Sequence, residues 1–371
     1  VSLGLARFSY ALLLPPMRAD LGWSYLLGGM MNTVNAAGYL LGALLMPVLL
    51  ARHAARTLLL AGGAGAALAL ALHGVATSEP ALLALRGLTG IASAATFVAG
   101  GLMAAQLAQH SARPAFVISL YYGGTGVGIV ASALLVPPLV ARGGVQAWQG
   151  AWLALALAAA LATAWMARAT RALHAAPPPR TGGARFRGAG LGWGLAGYLM
   201  FGVGYIGYMT FVVTLLREQG LSGTTVTAFY VLLGLCCIGS AWWWAGVLQR
   251  HRGGGPMALF NGLLAVATLL PVLSGHVVAV FVSGALFGGV FLSVVASTTA
   301  LVRHNLEPAA WPAGIAAFTI VFAAGQIVGP SLIGGVADGA GLGRGFAVSA
   351  AVLALGALLA SRQRALARAG G

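Results

Sequence analysis

From Tyr25 to Leu50 the chain carries no charged side chain, and long apolar runs of this kind recur to its end. Twelve such runs fall near 1–17, 25–50, 57–75, 81–104, 115–140, 148–167, 189–214, 225–248, 256–274, 277–301, 313–336 and 345–360. At 1.5 Å of rise per residue, about 20 apolar residues cross the hydrocarbon of a bilayer. In lipid every backbone N–H and C=O must be bonded internally, so only helices and closed barrels can span it. A barrel would show alternating segments of roughly ten residues, and none occur. Sixty per cent of the residues are hydrophobic and 7% charged, against about 25% charged in soluble domains. The expectation is an all-α integral membrane protein with twelve transmembrane helices.

The net charge of +15 resembles that of a nucleic-acid binder. Its distribution argues otherwise. All 20 basic residues are Arg, spread between apolar runs and not gathered into a basic domain. Fourteen fall in the loops after even-numbered runs and in the tail, four in the loops after odd-numbered runs, and Arg7 and Arg86 lie inside runs. The positive-inside rule then predicts that both termini are cytoplasmic. Cys236 and Cys237 are adjacent in an apolar run, a poor disulfide pair and no metal site by themselves. The first apolar run leads into further runs and is not read as a cleavable signal. Val1 is read as a GTG start or as a chain short of a few residues.

The longest polar stretch, Arg168 to Arg187, holds Pro177, Pro178 and Pro179 and reads as an extended cytoplasmic linker. The expected organisation is 1–167 as one six-helix bundle, 168–188 as linker, and 189–371 as a second six-helix bundle with a short tail. The halves match at an offset of 198: Gly4 with Gly202, Tyr10 with Tyr208, Asp20 with Glu218, Gly22 with Gly220, Ser24 with Ser222, Arg52 and His53 with Arg250 and His251, and Gly90 with Gly288. Gly128 pairs with Gly325 at 197. With six spans each, both halves run in the same direction, a parallel repeat.

These features, together with certain local segments, resemble the major facilitator superfamily, and its YbfB-type subfamily in particular. The segments are Ala6-Arg7-Phe8-Ser9-Tyr10 followed by Leu14-Pro15-Pro16-Met17, Asn35 with Gly38-Tyr39-Leu40-Leu41-Gly42-Ala43-Leu44, and Gly325-Gln326-Ile327-Val328-Gly329-Pro330. Arg86-Gly87-Leu88-Thr89-Gly90 is similar to the superfamily's fourth-span motif. The loop motif after the second span maps onto Pro47 to Arg56, but Ala51 stands at its Asp position. The fifth-span antiporter motif lacks its Gly-Pro step. Neither a charge latch at the cytoplasmic gate nor antiport is therefore expected.

Arg7 is the sharpest candidate for substrate binding. A guanidinium near the bilayer middle costs at least ~2.5 kcal/mol, so it should face protein or water. It would bind an anionic group by paired hydrogen bonds. The competing readings are a structural Arg on backbone carbonyls and a snorkelling one. Arg86 is, by resemblance, a cavity residue tied to proton coupling; snorkelling outward competes equally. Tyr10 is expected to share the face of Arg7 one turn along, with Tyr205 and Tyr208 at the equivalent places in the other half. An aromatic packing stripe explains these tyrosines as well. Asn32 and Asn35 are helix–helix glue or ligand contacts, glue being commoner. Asn35 and Gln326 gain from the resemblance. The glycines from Gly123 to Gly128 imitate a phosphate loop, but close helix packing explains them better.

All five acids lie at span ends. If protons drive transport, Asp20, Glu79, Asp338 or His73 must titrate from the external mouth, or the substrate must carry the proton. The resemblance implies a secondary transporter in the bacterial inner membrane that moves a small organic solute, an organic anion first, by alternating access. Drug or metabolite efflux and a non-transporting sensor stay open as alternatives. An enzyme is not expected, since the histidines and Glu307 are scattered over several loops. The expected partners are a small-molecule substrate, a coupling proton and the lipid bilayer, with no nucleic acid and no cofactor.

Overall fold

The computed structural model describes residues 3–109, 111–144, 146–171 and 190–366. All regular structure among them is helical. The first half contains a π-helical turn Gly4–Phe8, α1 (Tyr10–Leu21), α2 (Tyr25–Leu50), α3 (Ala55–His73), α4 (Glu79–Gln109), α5 (Pro114–Arg142) and α6 (Ala147–Ala169). The second contains α7 (Gly192–Glu218), α8 (Gly223–Trp243), α9 (Ala245–Arg250), α10 (Gly255–Leu273), α11 (Val277–Asn305), α12 (Trp311–Ala340) and α13 (Leu342–Ser361). Eleven of these are long and apolar enough to cross a membrane, with α8 and α9 taken together as Gly223–Arg250. The remaining run, 1–17, differs from the single uninterrupted span the sequence suggests. It is composite, because the π turn interrupts it before α1 begins. The expected linker lies, from residue 172 to 188, outside the described residues.

The repeated residues make equivalent joints. Gly22 and Gly220 close α1 and α7 in the left-handed region, at φ 67° and 82°, where a side chain would be strained. Two residues on, the hydroxyls of Ser24 and Ser222 accept from the N–H of Leu27 and Thr225, both at 3.1 Å, and start α2 and α8. The repeat thus writes the same helix-stop and helix-start in both halves. Gly4 packs on the backbone of Thr125 and Gly128, while Gly202 packs on that of Phe322 and Gly325. Gly90 lies on the carbonyl of Asn35, and Gly288 on that of Leu233, the residue 198 places after Asn35. Small residues at these crossings let backbones touch where lipid supplies no hydrophobic drive between helices.

Within the first half α3 packs on α4 and α6, and α2 on α4. Within the second α13 packs on α7 and α10, and α11 on α8 and α10. The halves meet mainly along α2 with α12, α5 with α8, and α1 with α7. The second-loop Arg56 stays in its own half, donating to the carbonyl of Ala167 at 2.8 Å and to Thr170 at the end of α6.

Candidate functional site

The π turn sets the position of Arg7. The N–H of Ser9 reaches the carbonyl of Gly4, five residues back, at 3.3 Å, and the Ser9 hydroxyl bonds the Leu5 carbonyl. Such a bulge rotates the residues on either side of it relative to a regular helix. Arg7 is 6% exposed. Its Nη2 donates to Oε1 of Gln326 in α12 at 2.7 Å, and Nε2 of Gln326 donates to the hydroxyl of Tyr205 in α7. The guanidinium also lies over the Tyr39 ring, 5.5 Å from its centroid. Arg7, Gln326 and Tyr205 therefore form one chain of contacts across the two halves.

Arg86 makes a second chain and is buried, not snorkelling. Its Nη2 donates to Oδ1 of Asn32 at 2.6 Å, its Nη1 to the Ala6 carbonyl at 3.2 Å, and its Nε to the Met31 carbonyl at 3.4 Å. Asn32 passes the contact on: its amide donates to the Thr210 hydroxyl in α7 at 2.8 Å. Asn35 donates to the Arg86 carbonyl at 3.0 Å, which is the glue role. Tyr10 lies beneath Arg86, with its ring centroid 4.6 Å from the guanidinium, and donates to the Gly28 carbonyl. It shares no hydrogen-bond partner with Arg7, which lies inside the π turn, whereas Tyr10 begins α1. Tyr208 is elsewhere again. Its hydroxyl meets Ser283 at 2.7 Å and its ring stacks on Phe287 at 3.9 Å, within its own half.

Seven candidates thus divide into Arg7, Gln326 and Tyr205 at one bridge, Arg86, Asn35 and Tyr10 around another, and Tyr208 apart. Asn32, Thr210 and Tyr39 are further residues of this region. Tyr39 stands inside the quoted Gly38–Leu44 segment. Thr210 carries no distinguishing sequence signal.

No carboxylate offsets either buried cation. Asp20, Glu79, Glu218 and Asp338 stand at or near helix ends, and Glu307 precedes α12. Asp20 accepts from the Trp148 indole at 2.6 Å. His73, expected at an open mouth, is fully buried: its Nδ1 meets the Ala69 carbonyl and its ring lies tilted against Trp152, centroids 4.6 Å apart. Among the described residues no group of His, Cys, Asp and Glu could hold a metal ion.

Among the described residues the inter-half hydrogen bonds gather toward one face. On the face of the α1–α2 turn, Asp338 accepts from the N–H of Tyr25 at 2.7 Å and of Leu26 at 2.9 Å. Glu218 accepts from the Tyr25 hydroxyl and pairs with Arg18 at 3.6 Å. Thr33 bonds the Ile327 carbonyl and Ser331. Gly29 and Gly334 pack on the backbones of Pro330 and Tyr25 respectively. Near the level of Arg7 the Tyr230 hydroxyl donates to the Phe8 carbonyl at 2.6 Å. Among the described residues no hydrogen bond joins the halves on the terminus face.

Residues 1–361 match the family described as the uncharacterised MFS-type transporter YbfB. The chain belongs to the YbfB-type family of major facilitator superfamily transporters. Members of this superfamily are multi-pass membrane transporters, and the helical architecture agrees. No curated protein sequence matches the chain. Among solved structures it is similar to the nucleoside transporter NupG, at 12% identity and TM-score 0.70 over 98% of this chain and 99% of that one. It is similar to a bacterial homologue of the human lysosomal transporter Spinster, inward-facing and occupied, at 13% identity and TM-score 0.71 over 99% and 97%. The human organic anion transporter MFSD10 aligns at 16% identity and TM-score 0.62 over 96% and 97%. At these identities the shared property is the fold.

Proposed function

We propose that this YbfB-type transporter is a secondary carrier of a small organic anion that works by alternating access. Residues 1–167 and 189–371 act as two bodies joined by the 168–188 linker, with both termini in the cytoplasm of a bacterial cell and the spans in its inner membrane. The observation that carries this reading is the Arg7–Gln326–Tyr205 bridge: a buried cation, held by a neutral amide, at the seam between the bodies. A guanidinium in low dielectric without a carboxylate attracts an anionic ligand strongly. Bonding gathered toward the α1–α2 face supports a state closed there and poised to receive or release solute on the terminus face. Rocking would exchange these faces around the same seam.

The test is counterflow into proteoliposomes preloaded with a mixture of organic anions, scored with and without Arg7→Ala. Arg7-dependent exchange of an anion is expected. Exchange confined to cations, or exchange indifferent to Arg7, would remove the assignment. A ligand that binds but never crosses would mark a sensor instead.

A further inference from the structure

The rings around Arg7 form two bands, one in each half. In the first half Tyr39 lies against Arg7, Phe97 follows 6.5 Å from Tyr39, and Tyr122 lies 5.8 Å from Phe97. In the second half Phe201 and Phe322 lie nearly parallel to Tyr205, at 4.6 and 5.6 Å and 20° and 17°. Tyr198 stacks on Phe322 at 5.0 Å and 19°. Tyr122, Tyr198 and Phe322 all sit in the terminus-side part of α5, α7 and α12, helices that begin at that face. Exposure follows the same direction in the first half, while Tyr198 and Phe201 of the second are buried. Tyr205 is buried, Tyr39, Phe97 and Phe322 are part-exposed, and Tyr122 is 40% exposed. The bands start at the Arg7–Gln326 bond between the halves and run from it toward the terminus face.

The floor selects charge. A guanidinium has five N–H donors, and Arg7 uses one of them, on Gln326. Arg86 is the less available cation, since three of its five donors are spent on Ala6, Met31 and Asn32. One available guanidinium suits a monoanion; a phosphate dianion would need a second cation. The planar fork matches a carboxylate bidentately. The walls select shape. Ring faces and edges favour another flat ring beyond the area it buries.

We infer that the transported solute is a small aromatic monocarboxylate, its carboxylate on Arg7 and its ring between the two bands. This rests on the reading of the seam as the transport site. The test uses the full chain in nanodiscs, with benzoate, cyclohexanecarboxylate, benzamide and benzylamine as calorimetric probes, followed by radiolabelled benzoate counterflow in proteoliposomes. Benzoate should bind at least tenfold more tightly than cyclohexanecarboxylate and benzamide, and benzylamine should not bind. Arg7→Gln should weaken benzoate tenfold or more and leave benzamide within twofold. Gln326→Glu, which sets a carboxylate on Arg7 without changing side-chain size, should weaken benzoate likewise and covers the case in which Arg7→Gln fails to fold. Tyr39→Leu with Phe322→Leu should bring the benzoate to cyclohexanecarboxylate ratio near one. Equal binding of the saturated acid overturns the aromatic assignment. Preference for benzamide or benzylamine overturns the anion, and no binding of any probe overturns the site. Benzoate that binds with the expected pattern but shows no counterflow leaves the ligand class standing and overturns the transport reading alone.

Discussion

Asp338 in α12 caps the N-terminus of α2, accepting the backbone N–H of Tyr25 at 2.7 Å, although the two residues belong to different halves of the chain. An ordinary N-cap is local and stabilises its own helix. This one acts between bodies, so its energy counts toward closure of the α1–α2 face. A carboxylate at a helix N-terminus contributes about 0.3–1 kcal/mol when exposed, and its hydrogen bonds add to that. Asp338→Asn should therefore shift the closed population by about tenfold, since each 1.4 kcal/mol is a factor of ten. Distances between spin labels on the α1–α2 and α7–α8 turns would show this as a longer population. An unchanged distribution would mean that Asp338 does not hold the gate.

The glycines at the seam give a sharper test of the same closure. A Cβ at Gly29 would run into the Pro330 carbonyl across the halves, whereas one at Gly38 would run into the Gly87 carbonyl within the first half. Gly29→Ala should keep the protein folded and hold the α1–α2 face open. Gly38→Ala should lower thermal stability, because it pries apart α2 and α4. Labelling of a cysteine placed at Thr33 should rise in the first variant. Equal loss of stability in both would refute the distinction.

Arg86 is expected to be structural first. It clamps the π turn and α2 through two carbonyls and an amide. Removing one partner of a buried charge network typically costs 3–5 kcal/mol. Arg86→Met should lower yield and melting temperature markedly, with Arg86→Lys intermediate. A stable Arg86→Met protein that has lost only transport would move Arg86 into the substrate site.

Arg7→Lys should insert and fold yet lose most transport. Lysine keeps the charge but lacks the planar fork that bonds Gln326 and an incoming anion together. Normal transport by this variant, measured by counterflow, would reduce the site to simple charge.

Ser24→Ala and Ser222→Ala test the repeat itself. Each hydroxyl caps the helix after the turn, and each loss should cost about 1 kcal/mol. The two melting-temperature shifts should be similar, and their sum should describe the double variant, since the caps share no partners.

Much of this was legible in order along the chain. Run length and hydropathy gave the helices, because the bilayer fixes both the length and the polarity of a span. The matched Gly22 and Gly220, and Ser24 and Ser222, mark helix ends through strictly local backbone chemistry. Arg7 stood out because an intramembrane charge is costly wherever it packs. What sequence could not give was direction. Regular helical spacing put Tyr10 beside Arg7, yet Arg7 lies in a π turn and bonds Gln326 while Tyr10 begins α1 and bonds Gly28. Pseudo-symmetry set Tyr208 opposite Tyr10, but Ser283 and Phe287 hold it inside its own half. Asn32 with Thr210, Arg7 with Gln326 and Asp338 with Tyr25 join residues far apart in the chain. Which of several polar side chains meet across two rigid bodies depends on how those bodies dock, and that is decided by packing over the whole seam.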